Sequence, residues 1–249
     1  MSTPIDTSVR HGIVEVLQVP GNPEGPLAGT TFVVKDLFDV KGTTTGVGNP
    51  HWRLTHLPAA EHAPVVTTLL NAGANLSGKA LTDEFACSLD GINEHFPIPL
   101  NPLYPERIPG GSSSGSASCV ASGIVDFALG TDTVGSTRVP AAYCGIYGFR
   151  PSHGSVPLDG VQPLGPSFDT VGWFSQTAEL LERVGSLLLD SSSTGNFSKL
   201  KIVDSAFDLV EKDFRADLGE KATQSGGSFE SWQSFFLDTH LLDTCSQLF

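Results

Sequence analysis

Apolar residues along the chain come in short blocks, each bounded by glycine, proline or charge. Thr31-Phe32-Val33-Val34 is a compact β-branched and aromatic run, which predicts a buried strand ending at Lys35-Asp36. Pro64 suits the first turn of a helix that places Val65, Val66, Leu69 and Leu70 on one side and stops at Gly73. Residues 74–100 hold a weaker strand and a loop. Small residues from the Gly/Ser tract Pro109–Ser118 through Gly123 suit a closely packed helix. Ile124-Val125-Asp126-Phe127-Ala128-Leu129 predicts another strand, emptying into the loop from Gly130 to Ser136. Pro140 can open a short helix that Gly145 closes. Thr177 fits the N-cap of a helix carrying Leu180, Leu181, Val184, Leu187 and Leu188. Leu200-Lys201-Ile202-Val203 reads as one more strand. Strands alternating with helices, without internal repeats, predict an α/β layered fold.

The two ends depart from this pattern. Residues 1–28 are polar and rich in proline and glycine, and read as an arm leading into the fold. Ser191–Ser198 reads as a linker. Beyond it the chain stops on Phe235-Phe236-Leu237 and Leu248-Phe249. Termini are usually polar, so this apolar stop predicts a chain that lacks the surface it packs against.

Composition narrows the classes. With 249 residues the chain can bury a sizeable core. Its 27 glycines and 17 prolines are aperiodic, which excludes collagen and favours a loop-rich enzyme. Only 14 Lys and Arg face 27 Asp and Glu, and no basic cluster appears, so neither nucleic acid nor an anionic membrane is expected as a partner. Cys87, Cys119, Cys144 and Cys245 contain no C-x-x-C pair, and His51, His56, His62 and His95 lack ligand spacing; neither a metal site nor a disulfide framework is expected. Scattered thiols, the absence of an apolar signal core and the absence of a membrane-length apolar run lead to the expectation of a cytoplasmic protein.

The Gly/Ser tract reads as a linker or as a built loop. A phosphate loop is excluded, because no Gly-Lys-Ser/Thr follows the glycines. Gly111-Ser112-Ser113-Ser114-Gly115 matches a nucleophile elbow, but prolines precede it where a strand is required. The third candidate uses Lys35. At a strand end a lysine is ordinarily solvated; buried, it loses protons more readily and becomes a usable base near serine hydroxyls. Ser112 and Ser136 stand on two loops that a strand and a helix can bring together.

Gly110-Gly111-Ser112-Ser113-Ser114-Gly115-Ser116 followed by Gly130-Thr131-Asp132-Thr133-Val134-Gly135-Ser136-Thr137-Arg138 resembles the amidase signature family, with Val34-Lys35-Asp36 similar to its lysine segment. Similarity continues through Gly78-Lys79, Asp83-Glu84-Phe85, Phe149-Arg150-Pro151-Ser152-His153-Gly154 and Ser167-Phe168-Asp169-Thr170-Val171-Gly172. Gly46–Pro50 and Phe149–Gly154 lean toward the branch with plant indole-3-acetamide hydrolases and their import-receptor relatives. The resemblance implies an α/β fold with a mixed central sheet flanked by helices, incomplete at its C-terminal end. It implies one domain over residues 1–249, with a family-like core from about 27 to 190 and an unassigned stretch over 199–249.

The resemblance further implies a serine amidohydrolase acting on a small amide, an aryl-acetamide such as indole-3-acetamide being one example, without a cofactor. Ser136 would be the nucleophile, Ser112 a bridging serine on a cis peptide and Lys35 the final proton acceptor. Backbone N–H groups of Thr133, Val134, Gly135 and Ser136 would form the oxyanion hole, with Ser113, Asp132 and Arg138 in support. As an exposed pair, Asp132 and Arg138 would matter little. Val134 stands where the family usually has glycine; it keeps the N–H donor, resists positive φ and narrows the acyl site. Two other readings stay open: an amidase-like binding module or inactive short form, and an amidotransferase subunit. The sequence sets no oligomeric state.

Overall fold

The computed structural model describes residues 11–189, 200–203, 209–224 and 226–230. The chain divides into two compact units, residues 1–191 and 192–249, so the family-like stretch 27–190 falls in the first. The linker Ser191–Ser198, the apolar segments Phe235–Leu237 and Leu248-Phe249, and Cys245 lie outside the described residues.

In the first unit the strands are β1 (Ile13–Val19), β2 (Thr31–Lys35), β3 (Asn75–Ala80), β4 (Phe127–Asp132), β5 (Tyr147–Phe149) and β6 (Thr170–Ser175). They form one mixed sheet in the order β1-β3-β2-β4-β6-β5. β2 runs parallel to β3 and β4, and the other pairs are antiparallel. The helices are α1 (Pro50–Thr55), α2 (Pro64–Asn71), α3 (Ser114–Ala121), α4 (Arg138–Cys144) and α5 (Ala178–Leu188). The expected mixed sheet flanked by helices is the observed fold.

The sheet is buried on both faces at its centre, which is why β2 and β4 read as continuous apolar runs. Phe32, Val34, Leu69, Phe127, Leu129 and Trp173 fill one side; Val33, Ala117, Val120, Ala128 and Phe174 fill the other. Phe32 and Phe127 are register partners whose rings stack with centroids 5.1 Å apart. α3 lies against the sheet through small side chains. A Cβ on Gly115 would stand 2.5 Å from both the Gly12 carbonyl and the Leu81 nitrogen, so only glycine permits this approach.

Three elements differ from the sequence reading. Part of the polar arm is β1, whose alternating residues are half-buried and hydrogen-bond along β3 at the sheet edge. β4 starts at Phe127, not Ile124, because α3 ends in a left-handed Gly123 and the Ile124 N–H still donates to the Cys119 carbonyl at 3.0 Å. α4 starts at Arg138, ahead of Pro140. There the Asp132 carboxylate accepts the N–H groups of Thr137 and Arg138 at 3.1 and 3.2 Å, as an N-cap would. β5, β6 and α1 were not predicted. The α2 and α5 readings hold, and the Thr177 hydroxyl accepts the Leu180 N–H at 3.3 Å.

The second unit contains β7 (Leu200–Val203), α6 (Lys212–Gln224) and β8 (Gly227–Glu230), with β7 and β8 parallel. No described helix is long and apolar enough to cross a membrane.

Candidate active site

Parallel pairing of β2 and β4 aligns Val34 with Leu129, so Lys35 and Thr131 meet at the C-terminal ends of the two strands. Ligands bind at such ends in open α/β sheets. Lys35 is fully buried, unlike the solvated charge that usually ends a strand. Its Nζ donates to Ser112 Oγ at 2.7 Å and to Thr131 Oγ1 at 2.8 Å. Burial lowers its pKa to about 7, while the negative charges of Asp83, Asp132 and Asp169 act in the opposite direction.

Ser112 lies in the turn between Gly110 and α3, with no exposed surface, and its peptide bond to Gly111 is cis. The Ser113 N–H donates to the Ser136 carbonyl at 3.3 Å, which ties the Gly/Ser tract to the loop after β4. The Ser113 hydroxyl donates to the Thr131 carbonyl at 3.2 Å and accepts the Thr131 N–H at 3.4 Å. The tract is therefore a built loop and not a linker. Ser136 is buried as well, and its hydroxyl carries no hydrogen bond among the described residues. Lys35 and Ser112 are thus in direct contact, and Ser136 is attached to them through backbone.

None of the N–H groups of Thr133, Val134, Gly135 and Ser136 donates to an acceptor among the described residues. Four consecutive N–H groups beside a serine are thus not spent on protein acceptors among the described residues. The positive φ of this loop, +152°, belongs to Gly135, and Val134 does not share it, so the valine is accommodated. Val134 is 71% exposed.

Asp132 organises the loop from beneath. Its carboxylate is completely buried and accepts from Arg138 Nε at 3.1 Å, Arg138 Nη2 at 3.0 Å and Arg150 Nη1 at 2.9 Å. Burial alone would raise its pKa. The hydrogen bonds from Arg138, Arg150 and the two α4 N–H groups outweigh that and hold it at about 2. Asp132 and Arg138 are therefore not an exposed pair of little weight but part of a triple built around a buried carboxylate, with Arg150 as its third member. Arg150 Nη1 also donates to the carbonyls of Asp132 and Thr133, each at 2.7 Å. Asp169 accepts from the Thr133 hydroxyl at 2.5 Å and from the N–H groups of Leu164 and Gly165. Sequence reasoning missed Arg150 and Asp169 as site residues; the family-like segments that contain them were the available signal.

A cavity of about 140 Å³ opens beside Thr131, walled by Leu37, Leu158, Val161, Gln162, Leu164 and Asp169. Cys144 is a packing residue: it is buried, and burial pushes its thiol up to about 12. Among the described residues no cluster of His, Cys, Asp or Glu could hold a metal ion.

The amidase family model matches residues 15–215. The chain is 53% identical to Amidase 1 of Arabidopsis thaliana over 185 residues, covering 74% of this chain and 44% of that protein. It is 46% identical to the chloroplastic outer envelope protein 64 of Arabidopsis thaliana over 194 residues, 77% of this chain and 33% of the relative. The chain thus spans less than half the length of these relatives. A crystal structure of an amidase superposes with a TM-score of 0.77 at 30% identity, covering 91% of this chain and 56% of the other.

Proposed function

The chain belongs to the amidase family, and from that premise we propose that it hydrolyses a carboxylic amide to a carboxylate and ammonia through an acyl-enzyme on Ser136. The observation that carries this reading is the buried Lys35 amine, 2.7 Å from Ser112 in a site that weakens its hold on a proton.

A serine hydroxyl is a weak nucleophile at neutral pH and needs a base. Neutral Lys35 has a lone pair for the Ser112 proton as Ser112 takes the proton of Ser136. The Ser136 oxygen then attacks the amide carbon, and the carbonyl oxygen gains negative charge among the N–H groups of residues 133–136. Donors fixed in advance for such an oxygen are worth about 2.7–4 kcal/mol each. As the tetrahedral adduct collapses, its C–N bond breaks, and the proton on Lys35 returns through Ser112 to the departing nitrogen. Water follows the same path in reverse to release the carboxylate. Asp132, Arg138, Arg150 and Ser113 hold the two loops in register.

The cavity beside Thr131 is lined mainly by apolar residues, with Gln162 and Asp169 among its walls, and is similar in size to the roughly 150 Å³ space that accepts a benzene ring in a protein core. This supports an acyl group carrying an aromatic ring. Phenylacetamide and indole-3-acetamide are therefore the first probes, with acetamide as the control lacking a ring. Ammonia release is expected from the aryl amides, with kcat/KM falling tenfold per pH unit below about 7 as Lys35 takes up a proton. A cooperatively folded chain that binds these amides without releasing ammonia at any pH would replace this reading with that of an amidase-like binding module.

A further inference from the structure

We infer that Asp83 is a positioning residue of this site, a buried carboxylate that braces the Gly111–Ser112 turn from behind and holds negative charge beside the Lys35–Ser112 pair. The inference rests on the Lys35–Ser112 relay proposed above. Asp83 is 1% exposed. Its backbone N–H donates to the Ser112 carbonyl at 3.1 Å. One carboxylate oxygen accepts the Gly91 N–H at 3.1 Å, and the other is buried without a hydrogen-bond partner. A Cβ on Gly111 would fall 2.2 and 2.7 Å from the two oxygens, so the carboxylate packs against the α-carbon of the residue before Ser112.

This placement is costly. A buried charged oxygen without a donor is unfavourable. The chain around it also adopts positive φ at Val47, Phe85 and Ala86, where non-glycine residues are uncommon. The Phe85 N–H donates to the Val47 carbonyl and the Ala86 N–H to that of Asp83, so these positions form one connected structure next to the relay. An asparagine would accept the Gly91 N–H equally well. What only the aspartate supplies is charge.

The charges around Lys35 single out the same residue. Asp83, Asp132 and Asp169 all favour its protonated form, Asp83 most strongly. Asp132 is already matched by Arg138 and Arg150, and Asp169 by the Thr133 hydroxyl and the N–H groups of Leu164 and Gly165. Burial pushes the Asp83 carboxyl up and Asp90 adds to that, while the Gly91 N–H, the Lys35 charge and the Ser88 hydroxyl favour its ionised form. Asp83 is the carboxylate of the three with an oxygen left uncompensated, and it acts on the lysine that burial would otherwise make too weak a base.

The test is Asp83→Asn in the full chain, with the side-chain nitrogen of Lys35 followed by NMR in ¹⁵N-lysine-labelled protein. Loss of the negative charge should move the Lys35 titration to lower pH, by about one unit. The acid limb of kcat/KM should move with it, which a merely structural role would not cause. An unmoved Lys35 titration in a folded variant overturns the inference. Should the variant not fold, the wild-type chain decides. The Asp83 carboxyl carbon and the Lys35 nitrogen must each register the other's transition, and independent titrations overturn it. The NMR readout needs no turnover: a shifted Lys35 in an inactive protein would retain the charge coupling and remove the amidase reading.

Discussion

Ser136→Ala and Lys35→Met should each lower kcat/KM on an aryl amide by about 10⁵–10⁶-fold, and the double variant should be no worse than either. The magnitude follows from other hydrolases in which nucleophile and base act as one unit, so that removing either leaves only the oxyanion donors and binding. Without Ser136 no acyl-enzyme forms. Without the Lys35 amine the Ser112 hydroxyl has no acceptor for its proton. Methionine is chosen at 35 because the side chain there is wholly buried, and an unbranched apolar replacement keeps the volume while removing an amine held in a dry site. Melting temperatures close to that of the wild type would assign the loss to chemistry. Single losses that multiply in the double variant would show that Ser136 and Lys35 act independently, contrary to the relay.

Lys79→Met should destabilise the fold by about 3–5 kcal/mol. Lys79 and Asp36 form an ion pair at 2.9 Å with side chains 0% and 4% exposed, directly beside Lys35 in sequence and on the neighbouring strand. Lys79 Nζ also donates to Thr45 Oγ1 at 3.2 Å, and Asp36 accepts the Gly46 N–H at 3.1 Å, so the pair pins the 44–46 loop to the sheet. Burial pushes the Asp36 carboxyl up, and Lys79 is the principal group opposing it. Removing the lysine leaves a buried carboxylate without its counter-charge. Urea unfolding measures the loss, and Asp36→Leu added to Lys79→Met should recover part of it, since an apolar pair needs no hydration. A loss below about 1 kcal/mol would mean that water reaches the pair.

Elements governed by local chemistry were legible in the sequence. Pro64 with Gly73, the Thr177 cap and the β-branched run of β2 announce themselves within a few residues. β1 and β6 did not, because what makes them strands is hydrogen bonding to β3 and β4, far away along the chain. The site divides in the same way. Lys35, Ser112 and Ser136 were legible as residue types on strand ends and glycine-rich loops, sharpened by a family resemblance. Whether Lys35 was solvated or buried was not, since burial depends on packing that brings Ser112 and Thr131 around the amine. Arg150, Asp169 and Asp83 fall in family-like segments, but their roles were not legible for the same reason. A charged residue's neighbours along the chain do not show which backbone groups it will hold.

α3 carries a constraint on how this sequence can drift. Every side chain from Ser114 through Val120 is buried, and Gly115 leaves no room for even one extra carbon. Atoms can hardly be added to this helix, and removing the Ser116 or Ser118 hydroxyl would break its hydrogen bond to the Leu129 or Leu100 carbonyl. The alanine substitution that commonly firms up a helix would here wedge α3 away from the residues before β1 and after β3. Thermostabilising such a scaffold must therefore begin on the solvent side of α2 and α5, leaving the serine-rich helix as it is.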